Sequence, residues 1–198
     1  NFVEKIRATK RKLLEHKPVK INKEEVEKRK GIDQAHFIFG FHAPPFADSE
    51  KYAYELAGAY LFGGMSSVLF QEIREKRGLA YSVSGNFDLG KDYGYGTIYV
   101  GTMKEKIKEI KEIILREIKN LNELKQKDFE ECKEQLIGNK RLAEEDSTNV
   151  MNALVLEETS GEAEEYYDYE DRISNLKLGD VRKIAKLKNF SSFALVPE

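Results

Sequence analysis

The chain has one cysteine, Cys132, and no tryptophan. A single cysteine excludes an internal disulfide and fits a reducing compartment. It also offers no nucleophile, because a reactive thiolate needs a base or a cation beside it. The helical pattern around Cys132 reads as a half-buried helix face. No apolar run approaches the roughly 18 residues that a membrane-spanning helix needs. The amino end, Asn1-Phe2-Val3-Glu4-Lys5, lacks an initiator Met and the charged-then-apolar layout of a signal peptide. These absences point to a cytoplasmic protein away from membranes, and to a piece trimmed from a longer chain. An excess of one charge is missing too: 33 Lys and Arg stand against 35 Asp and Glu. With a net charge of -2, the chain has no global pull toward nucleic acid or an anionic membrane. Its 198 residues, 40% of them apolar, suit one domain with a real core.

Several catalytic motifs are absent. None of His16, His36 and His42 lies in His-x-x-Glu-His or His-Glu-x-x-His, the spacings that set two imidazoles on one helical face. His36 and His42 share a strand face, but six residues at about 3.3 Å each separate them by roughly 20 Å. No protein-only metal site is therefore expected. There is no Gly-x-Ser-x-Gly elbow around Ser82 or Ser84. Gly63-Gly64 lacks the Gly-Lys-Ser/Thr of a phosphate-binding loop. Gly94-Tyr95-Gly96 lies inside a strand pattern and lacks a third glycine.

What is present is a regular alternation of elements. Residues 1 to 15 suggest a short surface helix, ended by Pro18. Residues 19 to 31, mostly Lys and Glu, read as an exposed arm or an edge strand. Residues 1–31 are accordingly expected to be an arm or linker, and residues 32–198 a domain. Gln34 to His42 alternates Phe37, Phe39 and Phe41 against His36, Ile38 and Gly40, which predicts a strand. Pro44-Pro45 ends it. Asp48-Ser49-Glu50 opens a helix to about Phe62, and Gly63-Gly64 stops it. Ser66 or Ser67 is placed to cap a second helix, which Gly78 closes in a left-handed cap. Residues 79–89 and 93–102 predict a hairpin around Gly90-Lys91-Asp92. Ile107, Ile110, Ile113 or Ile114, Ile118 and Leu121 give a helix over 104–124. A helical tract over 128–159 holds Gly138 and the run Asp146-Ser147-Thr148-Asn149, where a kink or break is expected, and two shorter helices and a closing strand at 190–196 come after it. The order predicts an α+β, two-layer sandwich: a mostly antiparallel sheet covered on one face by helices.

Two side chains remain as candidates. Arg74 lies near the end of the second predicted helix and Tyr81 enters the next strand, which can bring a guanidinium and a phenol to one patch. The spacing alone also allows an ordinary helix-end charge and a half-buried strand tyrosine. The surrounding run, Gly-Gly-Met-Ser-Ser-Val-Leu-Phe-Gln-Glu-Ile-Arg-Glu-Lys-Arg-Gly-Leu-Ala-Tyr over 63–81, resembles the carboxyl-half signature of pitrilysin-type zinc peptidases, the M16 family. Phe39-Gly40-Phe41 before Pro44-Pro45, and the pairs Tyr93-Gly94 and Gly101-Thr102, are similar to that family as well. Val68 departs from it, standing where many members carry arginine.

The resemblance implies a clamshell of two similar halves around an unfolded peptide. The zinc, held by two histidines and a glutamate, belongs to the other half, so the complete enzyme needs Zn2+ while this chain binds none. It implies further that Arg74 and Tyr81 act across the cleft, Arg74 holding substrate and Tyr81 stabilising the oxyanion, and that this chain alone is inactive. The implied partners are the zinc-bearing half, on the same chain or as a separate subunit in a homo- or heterodimer, and a peptide substrate. A non-catalytic scaffold or substrate-recognition subunit is the alternative.

Overall fold

The computed structural model describes residues 18–198. The helix expected over 1 to 15, and His16, lie outside the described residues. The charged stretch Glu24–Arg29 forms an exposed strand, β1. Of the two readings of residues 19 to 31, arm or edge strand, the chain takes the second over these residues. In β2 (Ala35–His42), the alternation buries Ala35, Phe37, Phe39 and Phe41 on one face. The hairpin comes next as β3 (Ala80–Leu89) and β4 (Gly94–Thr102), and β5 (Phe190–Pro197) closes the fold. The sheet order is β1-β5-β2-β4-β3. β1 runs parallel to β5; the β5–β2, β2–β4 and β4–β3 pairs are antiparallel.

Helices cover one face of this sheet. They are α1 (Lys51–Phe62), α2 (Ile107–Asn120), α3 (Gln126–Ala143), α4 (Ser147–Ser160), α5 (Tyr169–Ser174) and α6 (Leu178–Lys183). The α2 isoleucine stripe meets the sheet: Ile110, Ile114 and Ile118 pack with Phe37, Phe39, Ile98 and Val100 in one core. Each such side chain removed from water contributes about 1.5–3 kcal/mol before ordering costs. The chain is therefore an α+β two-layer sandwich, with a mostly antiparallel sheet. The expected break in the 128–159 tract lies between α3 and α4, where the Asp146 carboxylate accepts from Thr148 N–H at 2.8 Å and caps α4. Cys132 is buried in α3, and burial pushes its thiol up to about 11, so almost no thiolate exists at neutral pH.

Between α1, α3 and α4 lies a cavity of about 400 Å³. Lys51, 3% exposed, approaches the Glu157 carboxylate at 3.5 Å, and its Nζ lies 3.7 Å from the Phe46 ring centre. The Tyr169 hydroxyl donates to Glu55 at 3.0 Å. Burial holds both the Glu55 and Glu157 carboxyls above the usual carboxylate range.

Candidate functional site

The run from Gly63 to Tyr81 folds in three steps, and each one aims a side chain. First, the Gly63 N–H bonds to the Ala59 carbonyl at 3.2 Å and ends α1. Ser67 does not cap the next helical turn in the expected way. Its hydroxyl donates backward to the Gly64 carbonyl at 2.6 Å.

Second, the expected α-helix winds as a π-turn over Phe70–Glu75. Lys76 N–H reaches the Gln71 carbonyl at 2.9 Å, five residues back. Such an inserted residue is uncommon and is often found at functional sites. The widened turn passes into the cap: Gly78 N–H bonds to Arg74 O at 3.0 Å and Leu79 N–H to Ile73 O at 2.9 Å. Gly78 has φ +59°, as anticipated for a left-handed cap. An L side chain there would cost about 1–2 kcal/mol.

Third, the strand begins with an irregularity. Thr102 Oγ1 donates to the Leu79 carbonyl, pinning the cap to β4. Ala80 pairs with Thr102 and Ser82 with Gly101, which leaves Tyr81 as the extra residue of a β-bulge. A bulge sets two residues opposite one and re-aims a side chain. Here Tyr81 is 66% exposed instead of half-buried.

Arg74 is exposed as well. Its guanidinium lies 5.0 Å from the Phe70 ring centre, and its Nε is 3.8 Å from Glu75 Oε1. A solvent-exposed pair of this length contributes at most about 1 kcal/mol and leaves the guanidinium available to a ligand. The neighbouring cations are engaged elsewhere. Glu72 accepts from Lys76 at 2.6 Å and from Arg77, and Arg116 of α2 stands 3.4 Å away. The hydrogen bond from Lys76, and after it that from Arg77, holds the Glu72 carboxyl below its ordinary value. This network ties the π-turn to α2, so Arg74 projects from a braced base.

Among the described residues, no helix lies over the sheet face that carries Tyr81. Opposite the bulge, Gly101 is flanked by His36 of β2, and His36 Nδ1 lies 2.8 Å from the Tyr99 hydroxyl. A Cβ added to Gly101 would come within 2.7 Å of Ser82 Oγ and 3.3 Å of both Gln34 Oε1 and Tyr99 Oη. Three oxygens thus converge over a glycine beside Tyr81. Sequence reasoning missed this cluster, because only the register across three strands assembles it. At the other end of the face, Asp88 accepts from Tyr95 at 2.7 Å and from Tyr93 at 3.3 Å.

Zinc does not fit the histidines of this face. His36 pairs with Gly101 and His42 with Tyr95, at opposite ends of β2. Among the described residues, no group of three or more His, Cys, Asp or Glu is placed to hold a metal ion. No helix among them is long and apolar enough to cross a membrane.

Comparison with known proteins agrees with this architecture. The family described as the peptidase M16 inactive domain matches residues 2–136. An uncharacterized zinc protease of Streptomyces coelicolor is 34% identical over 157 residues, which cover 78% of this chain and 34% of that protein. The uncharacterized zinc protease YmxG of Bacillus subtilis is 33% identical over 131 residues, covering 65% of this chain and 32% of its own length. The chain thus spans about a third of these curated relatives. Among solved structures, a conserved protein from Enterococcus faecalis superimposes with a TM-score of 0.78 at 22% identity, over 92% of this chain and 44% of that one. A peptidase M16 inactive domain from Pseudomonas fluorescens gives 0.76 at 18% identity, over 92% and 46%. With the family match covering more than half of its length, the chain belongs to the peptidase M16 family, as an inactive domain of the carboxyl-half type.

Proposed function

We propose that this domain is the substrate-holding half of a zinc endopeptidase, working across a cleft from a half that carries the metal. The observation that carries the reading is the bulge at Tyr81, which turns a phenol out of the sheet onto an open face next to the Arg74 turn. In this reading the metal chemistry belongs to the other half. This chain contributes two positioned donors. When a peptide carbonyl is attacked, negative charge gathers on its oxygen. A fixed phenol donor aimed at that oxygen contributes about 10²–10³ in rate, as oxyanion donors do elsewhere. Arg74, with its planar fork of N–H groups, holds a second substrate carbonyl and adds positive potential. Both donors stand on this half alone, so they reach the scissile bond only when the halves close.

The test is cleavage of an unstructured quenched peptide by this chain alone, by its zinc-bearing half alone, and by the two together, with and without chelator. Cleavage that needs both halves and is lost with chelator supports the proposal. Tight association without cleavage under any condition would replace it with a non-catalytic scaffold.

A further inference from the structure

The β2–β4 part of the open sheet face differs in charge from the rest of the molecule. One residue in three of the chain is charged, 34% in all. Yet the outward positions of β2, β3 and β4 carry one carboxylate, Asp88, two histidines, and otherwise hydroxyl, amide, aromatic, aliphatic and glycine residues. Asp88 already accepts two tyrosine hydroxyls. A face so poor in charge gives a charged side chain nothing to pair with while stripping its water, which costs free energy. It suits an uncharged, extended segment. Besides the Asp88 group at its far end, the face gathers three polar atoms over Gly101 and next to Tyr81: Ser82 Oγ, Tyr99 Oη and Gln34 Oε1. His36 Nδ1 fixes the Tyr99 hydroxyl at 2.8 Å. Gly101 is what allows this convergence, since a Cβ there would collide with Ser82 Oγ at 2.7 Å.

We propose that this cluster is a peptide subsite, in which Ser82, Tyr99 and Gln34 hydrogen-bond a main-chain amide of an uncharged substrate stretch lying across the sheet. The proposal rests on the peptidase reading for its substrate class and goes beyond it in naming what holds the chain beside the reacting bond. Tyr99 and Ser82 touch substrate, and His36 is a positioning residue that acts through Tyr99.

The test separates binding from turnover. A fluorescently labelled, unstructured peptide of Ala, Ser, Gln and Leu is titrated by anisotropy onto the assembled halves with chelator present, so nothing is cleaved. Tyr99→Phe combined with Ser82→Ala should weaken binding about tenfold, the size expected for losing good hydrogen bonds. The same complex should cleave with a raised KM and a kcat within about twofold once zinc is restored. His36→Gln, whose amide can still reach the Tyr99 hydroxyl, should stay closer to wild type than His36→Ala. Peptides with Asp or Lys placed throughout should bind more weakly than the neutral one. Unfolding curves of each variant identify any that lose the fold, and in that case the neutral-against-charged comparison on the wild-type complex decides. Unchanged affinity in the double variant, or equal affinity for charged and neutral peptides, overturns the subsite. A complex that binds as described but never cleaves overturns the peptidase reading and leaves the subsite standing. A complex that cleaves but ignores the variants overturns the subsite alone, and absence of binding overturns both.

Discussion

Tyr81 and Glu55 make opposite statements about what one side chain does. Tyr81 is out in solvent, and its removal should cost activity rather than stability. In the assembled enzyme, Tyr81→Phe should lower kcat by about 10²-fold, with the unfolding midpoint of this chain unchanged. Wild-type turnover in that variant would remove the phenol from the mechanism. Glu55 is enclosed, and burial raises its carboxyl pKa against the opposing pull of the Tyr169 hydrogen bond and Lys51. A raised carboxyl favours the folded state while both states are protonated, and that contribution is lost as pH rises through the folded value. Glu55→Gln keeps an oxygen for the Tyr169 donor and removes the titration. Its melting temperature should match wild type near pH 4 and exceed it increasingly toward pH 7. A variant no more stable than wild type at neutral pH would show that Lys51 already compensates the buried charge. Glu72, Glu170 and Asp180, whose carboxyls are lowered, act with the opposite sign and lose their contribution on acidification. They cancel in the comparison because both proteins carry them.

Elements differ in how far the sequence discloses them. The β2 alternation, the Gly90-Lys91-Asp92 turn and the α2 isoleucines each carry their own period, and each forms where its period puts it. The π-turn at Phe70–Glu75 has no such signature. Its period differs from an α-helix by less than one residue, and the contacts that brace it are tertiary: the Glu72 network to α2 and the pinned Leu79 carbonyl. The bulge at Tyr81 was hidden for the same reason, since it is a mismatch between two strands and belongs to neither alone. Arg74 and Tyr81 could thus be put forward as candidates from one stretch of chain and its resemblance to a family, whereas the cluster over Gly101, drawn from residues 34, 36, 82 and 99, could not. Gly78 sits at the joint between these irregular pieces. Gly78→Ala should lower stability by about 1–2 kcal/mol through its φ of +59°. Read by denaturant titration, a loss below a few tenths would mean that the cap relaxes. If the cap also sets the Tyr81 aim, the same variant should lower kcat in the assembled enzyme.

At the scale of the molecule, the fold has an apolar core of its own, and no group of three or more His, Cys, Asp or Glu among the described residues is placed to hold an ion. Chelator should leave the melting temperature of this chain unchanged to within about 1 °C, while it abolishes cleavage by the assembled halves. A clear fall in melting temperature with chelator would reveal a structural metal that the described residues do not provide. The two ends of the described chain also meet. Lys23 N–H bonds to Ser191 Oγ at 3.1 Å across 168 residues, and among the described residues β1 has no sheet partner except β5. On a ribosome adding about 5–20 residues each second, β1 would wait roughly 8–34 s before its partner is made. For that interval it is an unpaired strand in a crowded cell. Glu24, Glu25, Glu27, Lys28 and Arg29 make it a poor template for a neighbouring nascent chain. The charges that look like an idle surface in the finished domain would then matter most before the domain exists, as protection for newborn molecules on the same message.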